Sequence, residues 1–145
     1  MAELRQRFDE KLERRVAFAV YPSTTTAAAN NDTIIPFDVA MTNIGNAFDT
    51  QTHLFTAPFD GPYYFTLNLN AKGVKNDLTE FFYLRYKETA VALADNDDKR
   101  STLYTAHTVV ELKQGDVLSV VIYSDNPKFV VDEGIDNMFV GLYLG

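Results

Sequence analysis

Hydrophobic and polar residues alternate with a period of two along much of this chain, which is the pattern of half-buried β-strands. The clearest example begins at Tyr63, where Tyr63, Phe65, Leu67 and Leu69 alternate with Tyr64, Thr66, Asn68 and Asn70. We expect the first set to face a core and the second set to face away from it. Further strands are predicted at residues 16–20, 81–86, 90–93, 102–112, 117–123 and 138–144.

Turn-forming residues separate these segments. Gly61-Pro62 precedes the alternating strand, and Gln114-Gly115-Asp116 separates two later ones. Many short strands with no helix between them favour an all-β fold, an antiparallel sandwich of the jelly-roll type.

The first fifteen residues show a different period. Leu4, Phe8 and Leu12 recur every four residues between charged side chains, which predicts a short amphipathic helix. So short a helix is marginal in water by itself. It becomes stable if three copies pack together or if it is the remnant of a longer stalk, and the alternative is a frayed terminus. We therefore divide the chain into a helix or stalk remnant at 1–15 and a globular domain at 16–145.

Charge and composition exclude several classes of function. The formal net charge is −7 and the sequence pI is about 4.7, which argues against nucleic-acid binding because that needs a basic surface. The chain has no cysteine, so it has no disulfide, no thiolate zinc site and no cysteine nucleophile. No run approaches the ~18 apolar residues of a membrane span, and the charged amino terminus lacks the apolar stretch of a signal peptide.

One ordered run of anchors gives the most specific signal. It consists of Phe37, Asn43, Phe48, Phe55, Gly61, Tyr63 and Phe65, at intervals of Phe-x5-Asn-x4-Phe-x6-Phe-x5-Gly-x-Tyr-x-Phe. This spacing resembles the signature of the C1q globular-head domain family, although Leu67 stands where that family usually has a final aromatic residue. Two later segments also resemble the family, the hairpin at 110–117 and the closing strand at 139–144. The resemblance covers about residues 16–145.

The resemblance implies a jelly roll of the C1q/tumour-necrosis-factor type that assembles as a homotrimer. It places Tyr64, Thr66, Phe139 and Tyr143 at the trimer interface, where large aromatics are no longer exposed to water. The alternative is that a loop of the same subunit covers these aromatic residues. The resemblance also implies a secreted, non-enzymatic recognition module of innate immunity that binds glycans or microbial and cell-surface patterns. The alternative is a structural or signalling trimer, similar to cerebellin, that engages a receptor protein.

Acidic loops are the candidate ligand and metal sites. The family often binds calcium through aspartates that flank a hairpin, and Asp95 matches the second of these positions. Lys87 stands at the first, where its ammonium can take the place of the ion and hold acids together without metal. The further ligand-binding candidates are Asp97, Asp98, Asp132 and Glu133; the alternative for each is a solvated polar loop.

Two remaining features concern modification and catalysis. Asn31 begins an Asn-Asp-Thr triplet, a glycan acceptor if the protein is secreted. His53 and His107 lie in strand-like segments without a serine, acid or second histidine at a recognisable spacing. An enzyme would need a pocket that combines one of these histidines with two carboxylates, so we expect no enzyme activity.

Overall fold

The computed structural model describes residues 2–72, 80–94 and 103–145. One α-helix precedes thirteen β-strands within these residues. Their bounds are α1 Ala2–Glu13, β1 Ala17–Tyr21, β2 Thr26–Ala27, β3 Thr33–Ile34, β4 Val39–Ile44, β5 Phe48–Asp49, β6 Leu54–Thr56, β7 Gly61–Lys72, β8 Phe81–Tyr86, β9 Thr89–Ala94, β10 Leu103–Leu112, β11 Val117–Tyr123, β12 Val130–Val131 and β13 Met138–Tyr143.

The described strands form two antiparallel sheets that pack face to face as a jelly-roll sandwich, which confirms the predicted fold class. The first sheet has the order β2-β12-β7-β13-β1-β4, with β10 also paired to β7. The second has the order β5-β6-β11-β8-β9, with β3 also paired to β11. Strand β7 is long enough to pair with β10 along one side and with β13 and then β12 along the other.

The alternation predicted for β7 is the alternation that the structure shows. Tyr63, Phe65, Leu67 and Leu69 are all less than 5% exposed, and the residues between them lie on the opposite face. Gly61 starts this strand with a φ of 133°, a backbone conformation that side chains disfavour. A Cβ there would also lie 3.1 Å from the ring of Tyr143, so this turn needs glycine for two reasons.

The anchors found in the sequence fill the space between the sheets. Phe37, Phe48, Phe55, Tyr63 and Phe65 are each at most 2% exposed. Phe18 lies among them, with its ring centroid 5.2 Å from that of Phe48 and 5.3 Å from that of Phe55. Tilted and edge-on contacts of this kind add to the stabilisation that the buried area alone provides.

Asn43, the polar anchor, holds the backbone of the next strand. Its Nδ2 donates to the carbonyl oxygen of Phe48 at 2.8 Å, and its Oδ1 accepts from the N–H of Phe48 at 3.3 Å. The amide therefore makes the two hydrogen bonds that a neighbouring strand would otherwise supply. This fixes the loop between β4 and β5 and sets the position of Phe48 in the core.

The sequence predicted neither β4 nor β6, and it did not predict the shortest strands. Strands β2, β3, β5 and β12 contain two residues each, too few for a period of two to be recognised. They form because longer strands offer free edges: β3 pairs with one end of β11, and β12 pairs with the end of β7. The predicted helix ends at Glu13, two residues earlier than expected.

Candidate assembly surface and ligand-binding loops

The outward face of the first sheet carries an apolar row that crosses five strands. The backbone register aligns Ile44, Ala17, Leu142, Tyr64 and Val109, one residue from each of β4, β1, β13, β7 and β10. Val109 is 59% exposed, Ile44 is 44% exposed and Leu142 is 39% exposed. We call these five residues the apolar row.

The face becomes more polar away from the apolar row. The next row across the strands contains Thr42, Ala19, Val140, Thr66 and His107. Beyond it, Met138, Asn68 and Thr105 are aligned. The apolar end of the face is thus the end at which β1 begins, close to α1.

The structure supports the outward orientation of two predicted interface residues and corrects that of two others. Tyr64 and Thr66 are half-buried on the outward face of β7. Phe139 is 1% exposed and packs against Phe18 and Phe37, so the outward position that we predicted for it is wrong. Apolar residues occupy both sides of β13, and the outward positions belong to Met138, Val140 and Leu142.

Tyr143 also lies on the inner side of β13, at the end of the sandwich. Its ring centroid is 4.8 Å from that of Tyr63 and 5.6 Å from that of Phe59. Its hydroxyl donates to the carbonyl oxygen of Asp60 at 2.7 Å. These contacts position the turn before β7, so the outward orientation predicted for Tyr143 is wrong as well.

The predicted acidic loop at 132–136 borders a shallow polar depression beside the polar end of the first sheet. The depression is lined by Thr25, Asn70, Lys72, Asp132, Glu133, Asp136 and Asn137. Nζ of Lys72 lies 3.1 Å from Oδ1 of Asp132, and this ion pair is largely open to water. The depression therefore offers an ammonium, carboxylates and amides within one small area.

A buried side-chain amide holds the backbone of this loop from the core side. Asn137 is fully buried; its Oδ1 accepts from the N–H of Asn70 at 2.6 Å, and its Nδ2 donates to the carbonyl oxygen of Glu133 at 3.4 Å. The N–H of Gly134 donates to the carbonyl oxygen of Pro22 at 2.8 Å. Because these bonds all use inward-facing groups, the carboxylates of Asp132 and Asp136 stay at the surface, where that of Asp132 pairs with Lys72.

The calcium interpretation concerns residues that lie mostly outside the described ranges. Asp95, Asp97 and Asp98 are all outside them. Within residues 2–72, 80–94 and 103–145, no group of three or more His, Asp or Glu side chains is placed to hold a metal ion. Asp95 thus stays a prediction.

Lys87, the residue proposed to replace the ion, occupies a tight turn. Lys87 and Glu88 connect β8 to β9 with φ values of 49° and 61°, as in a two-residue hairpin. Nζ of Lys87 lies 5.1 Å from the ring centroid of Tyr86. A hydrogen bond with the side chain of Tyr86 raises the pKa of Lys87, and the negative charge of Asp116 adds a smaller increase. The whole length of β9 separates Lys87 from Ala94, the last described residue before Asp95.

Asn31 lies in the loop before β3, half-buried and with a φ of 60°. Its backbone N–H donates to the carbonyl oxygen of Ser124 at 3.2 Å, a bond that does not use the side-chain amide. Asp32, the middle residue of the triplet, forms an ion pair with Arg85 at 2.7 Å. Its role as a glycan acceptor stays a prediction.

The two histidines have structural neighbours rather than catalytic ones. Nδ1 of His53 lies 3.2 Å from the carbonyl oxygen of Phe37. His53 lies near two carboxylates and makes a small contribution to lowering the pKa of each. The pKa of Asp38 is lowered mainly because its carboxylate accepts a hydrogen bond from the hydroxyl of Ser23. The pKa of Asp49 is lowered mainly because its carboxylate accepts from backbone N–H groups of the turn that follows it. Asp49 thus stabilises a local turn, and Asp38 links two segments that are fifteen residues apart. His107 is exposed on β10.

Comparison with known proteins identifies the family. Residues 17–144 match the model of the C1q domain, so the chain belongs to the C1q domain family. Members of this family are non-enzymatic recognition or signalling modules.

Two curated relatives show how far the similarity extends. The chain is 33% identical over 104 residues to Caprin-2 of Danio rerio, covering 70% of this chain and 11% of that protein. It is 32% identical over 108 residues to complement C1q tumor necrosis factor-related protein 3 of Mus musculus, covering 72% of this chain and 42% of that protein. The chain thus spans less than half the length of either relative.

Solved structures agree with this assignment of the fold. The globular domain of zebrafish complement 1qA protein superposes with a TM-score of 0.69 at 19% identity, covering 90% of this chain and 98% of that one. Murine APRIL superposes with a TM-score of 0.63 at 14% identity, covering 88% and 97%. Among the described residues, no helix is long and apolar enough to cross a bilayer.

Proposed function

We propose that this protein is an extracellular, non-enzymatic recognition module that works as a homotrimer. The observation that carries the proposal is the apolar row on the outward face of the first sheet. In a single copy its aliphatic side chains are open to water, and contiguous exposed apolar surface in a folded domain marks an interaction site. Membership of the C1q domain family supports three-fold assembly through this surface.

The composition of the face fits an interface between identical copies. The apolar row and the row beside it contain no Asp, Glu, Lys or Arg, so burying these two rows desolvates no fixed charge. Tyr64 lies between Leu142 and Val109 and provides a large ring with a hydroxyl that can bond at the rim. Three-fold closure buries the same face on every copy and leaves none of it exposed.

Light scattering coupled to size exclusion tests the assembly. Tyr64→Asp and Leu142→Asp are each expected to give monomer or insoluble protein, because a carboxylate in a dry interface is costly. Leu93→Asp is the matched control, since Leu93 is 58% exposed but belongs to β9 in the other sheet. An unchanged trimer mass for both face variants, or a wild-type protein with the mass of one subunit, is incompatible with the proposed interface.

We further propose that the polar depression binds glycans on microbial or cell surfaces. Carboxylates and amides accept and donate hydrogen bonds to sugar hydroxyls, and Lys72, Asp132 and Asn70 bring these groups together. Each site would bind weakly, but three linked copies multiply weak contacts when the ligand is repeated on a surface.

Glycan-array binding by the purified protein tests this second step. Asp132→Ala is expected to reduce binding, whereas Asp125→Ala, an exposed carboxylate outside the depression, is expected to leave it unchanged. Absence of binding to any sugar or bacterial surface contradicts glycan recognition and leaves the trimer proposal intact.

Expression through a secretory pathway followed by glycosidase treatment tests whether Asn31 carries a glycan, with Asn31→Gln as the control.

A second candidate function, a signalling ligand for a protein receptor, is favoured by a different surface. On the outward side of the second sheet, the rings of Phe81 and Tyr123 stack with centroids 4.7 Å apart, and Leu93 is 58% exposed nearby. Apolar flanks of this kind suit protein partners. Binding to cells that survives glycosidase but not protease treatment supports the receptor; the opposite sensitivity supports the glycan.

A further inference from the structure

The helix α1 presents an apolar stripe to solvent. Leu4 is 67% exposed and Phe8 is 63% exposed. Side chains four residues apart lie on the same side of a helix, so these two form one surface. The side chains at positions 3, 5, 6, 7, 9 and 10 are charged or amides, and the amide of Gln6 lies 3.5 Å from the carboxylate of Glu10.

Nothing within the described sandwich covers this stripe. None of the strands makes more than marginal contact with α1. A helix of 12 residues gains too little from its own backbone bonds to be stable alone in water. The stripe is therefore open to a packing partner from another copy of the chain.

The connection to the sandwich fixes where that partner lies. Only three residues separate α1 from β1, and the last of them, Val16, is 4% exposed. The carbonyl oxygen of Val16 accepts from the N–H of Tyr143 at 3.0 Å, and the guanidinium of Arg14 lies 5.7 Å from the ring centroid of Phe59. Because Ala17 belongs to the apolar row, α1 leaves the sandwich at the apolar end of the proposed interface.

We propose that the α1 helices of three copies pack in parallel, with Leu4 and Phe8 turned inward, as an extension of the trimer interface. This inference rests on the proposed trimer. Three-fold symmetry makes equivalent helices run in the same direction. Because the sandwiches already hold the helices together, their association is intramolecular, and weak contacts between short helices suffice.

Cysteine cross-linking tests the arrangement directly, because the natural chain contains no cysteine. Phe8→Cys treated with the thiol oxidant diamide is expected to form disulfide-linked dimers within each trimer. Gln6→Cys is the matched control, since Gln6 lies on the opposite side of the helix, and it is expected to stay monomeric under denaturing electrophoresis. Equal cross-linking of the two variants overturns the proposed inward orientation.

A second pair of variants measures stabilisation. The double variant Leu4→Glu with Phe8→Glu is expected to lose helical far-UV signal and to dissociate at a protein concentration about tenfold higher than the wild type. Because the dissociation constant of a trimer scales with the square of concentration, this is a change of about 100-fold in that constant, or about 2.7 kcal/mol per trimer. Gln6→Glu introduces the same side chain outside the stripe and is expected to change neither quantity.

The outcomes separate the two proposals. Stripe variants that form a trimer with the wild-type helical signal and the wild-type dissociation concentration overturn the helix bundle. They leave the proposed sandwich interface intact. A wild-type protein that is monomeric at every concentration overturns both.

Discussion

Gly141→Ala is expected to destabilise the domain through a single added methyl group. Gly141 lies in β13 directly over the ring of Phe18, and a Cβ at this position would be 2.3 Å from Cε1 and 2.6 Å from Cζ of that ring. Ordinary contact begins at 3.4 Å, so the ring would have to retreat by about 1 Å.

The ring of Phe18 has no room for that movement. It is 2% exposed, and the rings of Phe48, Phe55 and Phe139 lie with their centroids 5.1–5.3 Å away. Overpacking of a close-packed core costs about 1–3 kcal/mol, and we expect the upper end of this range here. For a domain of this size, 3 kcal/mol corresponds to a fall of about 6–12 °C in melting temperature.

Urea denaturation at a fixed protein concentration measures the effect, because a trimer's apparent stability depends on concentration. The control is a double-mutant cycle with Phe18→Leu, which removes the ring edge that the methyl group meets. The two substitutions together should cost at least about 1 kcal/mol less than the sum of each alone. A neutral Gly141→Ala, or strict additivity in the cycle, refutes the steric explanation.

Two further predictions concern side-chain hydrogen bonds. Asn43→Ala removes both bonds to the backbone of Phe48 and is expected to cost about 2 kcal/mol in urea denaturation. Gln51→Ala, at an exposed residue outside the proposed interface, should have little effect; equal effects contradict the anchoring role of Asn43. The N–H of Lys113, followed by the hydroxyl of Tyr86, holds the pKa of Asp116 below its usual value. The stabilisation from Asp116 is therefore complete above about pH 4 and is lost as the pH falls through its pKa in the folded state. Asp116→Asn should flatten the acid side of a plot of melting temperature against pH, and an unchanged acid side counts against this contribution.

The sequence was sufficient for the fold where a strand has two different faces. In β7 the inward residues are large and apolar while Asn68, Asn70 and Thr66 are polar, so only one orientation buries the apolar set. The same pattern identified Tyr64 as an outward aromatic residue.

It was insufficient where both faces are apolar. Strand β13 has the sequence Met-Phe-Val-Gly-Leu-Tyr, and this order does not show which of the two alternating sets of residues faces the core. The answer depends on Gly141, which must lie inward to make space for Phe18 and so places Phe139 inward as well. Leu142 and Val109 become neighbours across Tyr64 only through the pairing of three strands that are distant in the sequence.

The buried amide of Asn137 fixes the conformation of a loop without using the side chains that the loop exposes. The conformation of residues 132–137 is set by groups that point inward, namely Asn137 and the backbone of Asn70, Gly134 and Pro22. Substitutions at Asp132, Glu133, Ile135 or Asp136 can thus change charge and size at the surface while the chain keeps its path. This arrangement offers protein engineers four positions at which side chains can be varied without refolding the loop.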